Sequence, residues 1–178
     1  MATLIDSYPI ENRSAFWGLS SAGQVKHGQS FHVTNKANLA SGIFYGMKSG
    51  LPTGNAVAKL YAHSGTFGTS SVPTGDALAT SGNFDVSTVS DSDYSSMEFT
   101  FSTPYEMQAD TNYVMVLEFA GGDGNNVLYV GLDHVSPAHS GNMSSYSTSW
   151  SAYSAYDLIF YVYGDLVATS SPQLMMCS

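Results

Sequence analysis

The sequence predicts an all-β fold: an antiparallel two-sheet β-sandwich, jelly-roll-like, of about eight or nine strands with very little helix. Three observations lead there. No stretch keeps a helical period, whereas period-2 segments and short apolar runs recur between clusters of Gly, Ser and Asp. Only 11% of residues are charged against 43% hydrophobic and 13% aromatic, so polarity comes mainly from Ser, Thr, Asn and Gly. The 178 residues suit one domain, long enough to bury roughly 70% of its unfolded surface without disulfides or metal.

The elements follow in order. After an irregular start, residues 29–34, 39–48 and 56–63 read as strands, then 77–86 and 96–101. Residues 112–119 and 127–133 face each other across Gly121-Gly122-Asp123-Gly124-Asn125-Asn126, a hairpin loop by composition. A strand over 157–163 closes the domain. Met97-Glu98-Phe99-Thr100-Phe101 alternates cleanly, with one face buried and one wet. Residues 113–119 and 158–163 are apolar at both parities, which predicts cover on both faces. The expected core is Phe99, Phe101, Tyr113, Met115, Leu117, Leu128, Val130, Leu158, Phe160 and Val162. Pro52-Thr53-Gly54-Asn55-Ala56 and Pro73-Thr74-Gly75-Asp76-Ala77 are nearly one pentamer and read as matched turns, each before a strand. The chain divides into an N-terminal arm and first strand (1–27), a sandwich domain (28–164) and a C-terminal tail (165–178).

Charge and termini exclude several roles. Five basic against fourteen acidic residues give a net −9, the wrong balance for a nucleic-acid partner. Residues 1–6 show no basic and apolar secretory signature, Ala2 stands where myristoylation needs Gly, and no apolar run approaches the ~18 residues of a span. The reading is a product of the cytoplasm, without membrane insertion. Cys177, the single cysteine, cannot form an internal disulfide; an intermolecular one needs an oxidising medium.

Several segments fit a known family. Gly28-Gln29-Ser30-Phe31, Phe44-Tyr45-Gly46-Met47-Lys48 and Leu51-Pro52-Thr53-Gly54-Asn55-Ala56-Val57-Ala58-Lys59-Leu60-Tyr61-Ala62 resemble the choice-of-anchor R type of β-sandwich domain. Pro73-Thr74-Gly75-Asp76-Ala77, Phe99-Thr100-Phe101, Thr111-Asn112-Tyr113 and the Ser/Tyr/Trp stretch before Asp157 continue the resemblance in order. It spans about residues 28–163 and rests on turn and core positions. It implies a jelly-roll-like sandwich without established catalytic residues, found in anchored bacterial proteins and in phage-encoded virion proteins. The expected role is therefore a non-enzymatic bacteriophage virion protein, a capsid decoration or a tail or fibre component. It would contact copies of itself and other virion proteins, assembling in the host cytoplasm and ending on the particle surface. The alternative is a carbohydrate-binding module that grips a cell-surface glycan.

Catalytic patterns are sparse. No Gly-x-Ser-x-Gly elbow is present. Glu98, Glu106 and Glu118 match a glycosidase pair by residue type only, and wet strand faces explain them. His27 and His32 fall on opposite strand faces, while His134 and His139 flank Pro137 beside Asp133, short of a zinc ligand set. Asp91, Asp93, Asp123 and Asn125 carry oxygens of the kind calcium prefers, but backbone-bonding turns use the same residues. No cofactor is otherwise expected.

Two features suggest contact. Tyr146, Trp150, Tyr153 and Tyr156 lie among small hydroxyl residues, a mixture suited to glycans, to protein surfaces, or to packing on the sandwich itself. Phe16 and Trp17 near one end, and Leu174, Met175 and Met176 near the other, read as assembly arms, because such side chains are costly to leave in water.

Overall fold

A computed structural model describes residues 1–168. Its strands are β1 (Thr3–Tyr8), β2 (Ala15–Leu19), β3 (Lys26–Val33), β4 (Ala37–Ser49), β5 (Asn55–Ser64), β6 (Val72–Thr80), β7 (Phe84–Asp85) and β8 (Ser95–Thr100). They continue as β9 (Glu106–Met107), β10 (Thr111–Glu118), β11 (Val127–Asp133), β12 (Met143–Tyr146), β13 (Trp150–Tyr153), β14 (Asp157–Leu158) and β15 (Phe160–Leu166). Two short 3-10 turns, Ile10–Asn12 and Val86–Thr88, are the only helical pieces among the described residues.

The strands form two antiparallel sheets packed face to face, a β-sandwich. One sheet runs β1-β15-β4-β11-β14, with β2 on β11 and with β8 and β9 on β4. The other runs β13-β12-β3-β10-β5-β6, with β7 on β5. Between them lies one hydrophobic cluster that includes Phe31, Phe44, Phe99, Met115, Leu117 and Phe160. Every residue named above as core is buried in it. The alternation of Met97–Phe101 and the double cover of β10 are both present: Val114 and Val116, on the face away from the cluster, are fully buried too.

The N-terminal segment corrects the expectation of an arm. β1 pairs with β15, and β2 pairs with β11 from Leu19↔Leu128 to Ala15↔Leu132. Open strand edges favour such pairing, since their N–H and C=O groups otherwise lack partners. Tyr8 and Leu19 are buried as a result. The strand expected over 77–86 is also redrawn, because the hairpin tip falls earlier, before Val72. The second Pro-Thr-Gly copy is therefore a bulge within β6. Thr74 pairs with Ala62 and Ala79 with Leu60, so residues 75–78 stand opposite Tyr61 alone. Pro73 is tolerated because β6 is an edge strand. Gly75, at φ 69°, makes the kink that a β-carbon would strain.

On the outer side of the second sheet Glu118 joins three adjacent strands. Its carboxylate lies 2.8 Å from Lys59 Nζ and 3.3 Å from Lys26 Nζ, each side chain only about a quarter exposed. Burial raises its pKa, but the two lysines outweigh that and hold it below the ordinary range. Glu118→Gln should cost about 1 kcal/mol, with the loss shrinking as salt rises. Denaturant titrations at low and high ionic strength check this.

Candidate functional site

The β12–β13 hairpin splits the tyrosines and tryptophan that the sequence groups together. Tyr146 pairs opposite Trp150 and Met143 opposite Tyr153, so the two pairs lie on opposite faces. Tyr146 and Trp150 meet at 5.3 Å on the outer face, with Lys26 Nζ 5.3 Å over the Tyr146 ring. Tyr153 turns inward, stacks on Tyr156 at 5.6 Å and 12°, and packs against the core.

Trp17 joins that inward pair. Its indole lies 5.0 Å from Tyr153, 6.0 Å from Tyr156 and 5.5 Å from His27. The sequence offers no sign of this union, because pairing between β2 and β11 is what carries Trp17 to the hairpin. Half of the expected N-terminal contact is thus spent inside the domain. Phe16, the next residue on a pleated strand, points the other way. It is 53% exposed and meets Tyr129 edge-on at 4.7 Å. Leu174, Met175, Met176 and Cys177 lie outside the described residues.

Phe16 forms a ridge between two clefts. One, of about 470 Å³, is lined by Phe16, Met47, Lys48, Leu51, Asp91 and Tyr129, among others. The second, of about 310 Å³, is lined by Ala15, Phe16, Trp17, Leu132, His134 and Tyr156.

A buried polar network holds the loop after β11. Asp133 accepts hydrogen bonds from Tyr8 Oη at 2.9 Å, Ser14 Oγ at 2.5 Å and the N–H groups of Val135 and Ser136. Burial pushes its pKa up, yet these donors outweigh that and hold it below the usual carboxylate range. Tyr8 is pushed up to about 12, by burial first and then by its bond to Asp133. Asp157 accepts from Gln29 Nε2 and from the His139 N–H, but burial dominates and raises its pKa. His139 Nδ1 accepts the Gly141 N–H at 3.0 Å, which puts the ring proton on Nε2, 3.2 Å from Asp6 Oδ1.

Neither histidine–aspartate grouping is arranged for nucleophilic catalysis. Ser14 donates to Asp133 itself, so the carboxylate orients the serine and not the His134 ring, 3.3 Å from Ser14 Oγ. In His139 the nitrogen opposite Asp6 already accepts a backbone proton. The glycosidase candidates are dispersed: Glu106 pairs with Lys36 at 2.7 Å, Glu98 is exposed on β8, and Glu118 is bridged as described.

The calcium candidates serve turns. Asp123 Oδ1 accepts the N–H groups of Asn125 and Asn126, and both its oxygens take the Asn126 amide. Asp93 bonds the Tyr94 N–H, and Asp91 lines the larger cleft. Among the described residues no three His, Cys, Asp or Glu side chains converge as a metal site. His27 is fully buried, with Nδ1 3.1 Å from Ser145 Oγ, and Nε2 has no hydrogen-bond partner among the described residues. Desolvation lowers its pKa to about 3.

Fold and surface together define a class, the antiparallel two-sheet β-sandwich with a ridge of aromatic side chains along one edge. Comparison with protein-family models, with curated proteins and with solved structures gave no match. Among the described residues no helix is long and apolar enough to cross a membrane.

Proposed function

We propose that the protein is a non-enzymatic structural component of a bacteriophage virion, a capsid decoration or a tail or fibre part, acting through contacts with its own copies and with other virion proteins. The observation that carries this reading is the outer face of the first sheet. Tyr161 pairs beside Ile43, Leu4 beside Tyr163, and Tyr129 beside Met47, with Tyr45 6.0 Å from Tyr161. Leu51, 81% exposed, and Phe16 extend this aromatic face at one end. Such a contiguous apolar surface favours a partner.

Charge adds a direction. Lys26 and Lys59 are bound to Glu118, and Lys36 to Glu106. Arg13, stacked 4.1 Å over Tyr94, and Lys48, bonded to the Ser87 carbonyl, form no salt bridge among the described residues. Both cations lie near the aromatic face of a chain with net charge −9, and so complement the acidic remainder of a second copy. The resemblance to choice-of-anchor R domains, some of them phage-encoded, supports the virion setting.

Sedimentation velocity over a range of concentrations tests the contact. The full chain should associate, and Leu51→Ser with Tyr129→Ser should raise the dissociation constant at least about a hundredfold, given ~1.5–3 kcal/mol per buried side chain. A monodisperse monomer at every concentration would refute self-contact. Capsid, portal or tail genes beside its gene would support the virion setting, and a neighbouring glycoside hydrolase gene would count against it.

A further inference from the structure

We propose that the smaller cleft, beside Phe16 and walled by Trp17, His134 and Tyr156, binds a neutral saccharide. The cleft is uncharged and aromatic. None of its lining residues is an acid, lysine or arginine. The nearby Asp133 carboxylate is turned to Tyr8, Ser14 and two backbone amides. Nothing there would repay the desolvation of a charged ligand. Aromatic side chains with an imidazole at the rim suit a ring that has an apolar C–H face and a hydroxyl edge.

Its walls are also held in place. Trp17 is braced from behind by Tyr153 and His27, and Tyr156 is braced by the stacked Tyr153. His134 meets the Tyr156 ring edge-on at 5.8 Å, and its backbone N–H is tied to Ser14 Oγ. Walls held this way lose little freedom when a weakly held ligand enters. The exposed ring of His134 keeps its Nε2 free of hydrogen bonds among the described residues, available to a hydroxyl. At about 310 Å³ the cleft sits at the lower end of the roughly 300–1,000 Å³ typical of small-molecule sites, a size for one or two sugar rings.

This places the sugar contact away from the outer Tyr146–Trp150 pair. It does not rest on the assembly reading: Phe16 borders both surfaces, but the variants Leu51→Ser and Tyr129→Ser lie across its ridge from this cleft.

The test is an array of neutral, sialylated and sulfated oligosaccharides, followed by titration of the best neutral hit into the full chain. Tyr156→Ala and His134→Ala should each weaken binding about tenfold or more, while Trp150→Ala leaves it unchanged. Because Tyr156→Ala could disturb packing, the exposed His134 supplies the variant expected to keep the fold. In a Trp150→Phe background Trp17 is the sole tryptophan, and its emission should shift with sugar. No binding to any neutral glycan, binding confined to anionic glycans, or loss on Trp150→Ala with Tyr156→Ala silent would each overturn the proposal. So would a Trp17 signal that answers to an aromatic peptide and to no sugar.

Discussion

Acidification from pH 7 to pH 5 should lower stability by about 2 kcal/mol through His27 alone. The buried ring is held neutral with a pKa of about 3, whereas in the unfolded chain it titrates near the ordinary 6.5. Between those values the unfolded state binds the extra proton, so stability falls as pH falls through 6.5 and levels off below about 3. Asp133 and Glu118, held below their usual range, add losses only at lower pH, where the unfolded carboxylates protonate. Asp157 acts in the opposite direction: its raised pKa lets the folded state take a proton earlier, offsetting part of the loss. Thermal melts should therefore drop by about 4–8 °C over this range. His27→Leu should have a nearly flat profile between pH 7 and pH 5, whatever its absolute stability. An equally steep profile in that variant would place the titration elsewhere.

Removing the Asp133 carboxylate should cost about 3–5 kcal/mol, a large share of a domain's ordinary 5–15 kcal/mol. Asp133→Ala leaves the buried Tyr8 hydroxyl without its carboxylate acceptor, and Ser14, Val135 and Ser136 without theirs. The effect spreads because Tyr8 is on β1, Ser14 precedes β2, and both strands cap edges of one sheet. Asp133→Asn keeps one oxygen acceptor and should lose less than half as much. Urea midpoints for the two variants, compared with the parent, check the order. Equal losses would mean that the negative charge at this position matters more than side-chain shape or a single retained acceptor.

Much of the fold was legible because strand alternation is a local property. Met97–Phe101 shows which face is wet, and the apolar parity of residues 113–119 anticipates cover on both sides of β10. The composition of 121–126 announced a loop, whose turn Asp123 holds with backbone bonds. It did not give the hairpin expected across it: β10 pairs with β3 and β5 in the second sheet and β11 with β2, β4 and β14 in the first, so the segment crosses between sheets. The site was less legible. Tyr153 and Tyr156 were visible as aromatic residues beside Trp150, but the face each one takes depends on the register of β12 with β13.

The chain by itself therefore determined the class of fold, the core residues named from its alternation and the loop character of 121–126. All of these follow from side-chain alternation and backbone preference within a few residues. The tertiary structure alone decided that 3–19 would be sheet edge and not arm, and that Pro73–Gly75 would be a bulge and not a turn. It also brought Trp17 to His27, Tyr153 and Tyr156. The bulge rests on the register that β6 takes against β5, and the other two on pairing between strands far apart in sequence. There, unpaired backbone groups and apolar area across the whole sandwich choose the partner, and no local pattern records the choice.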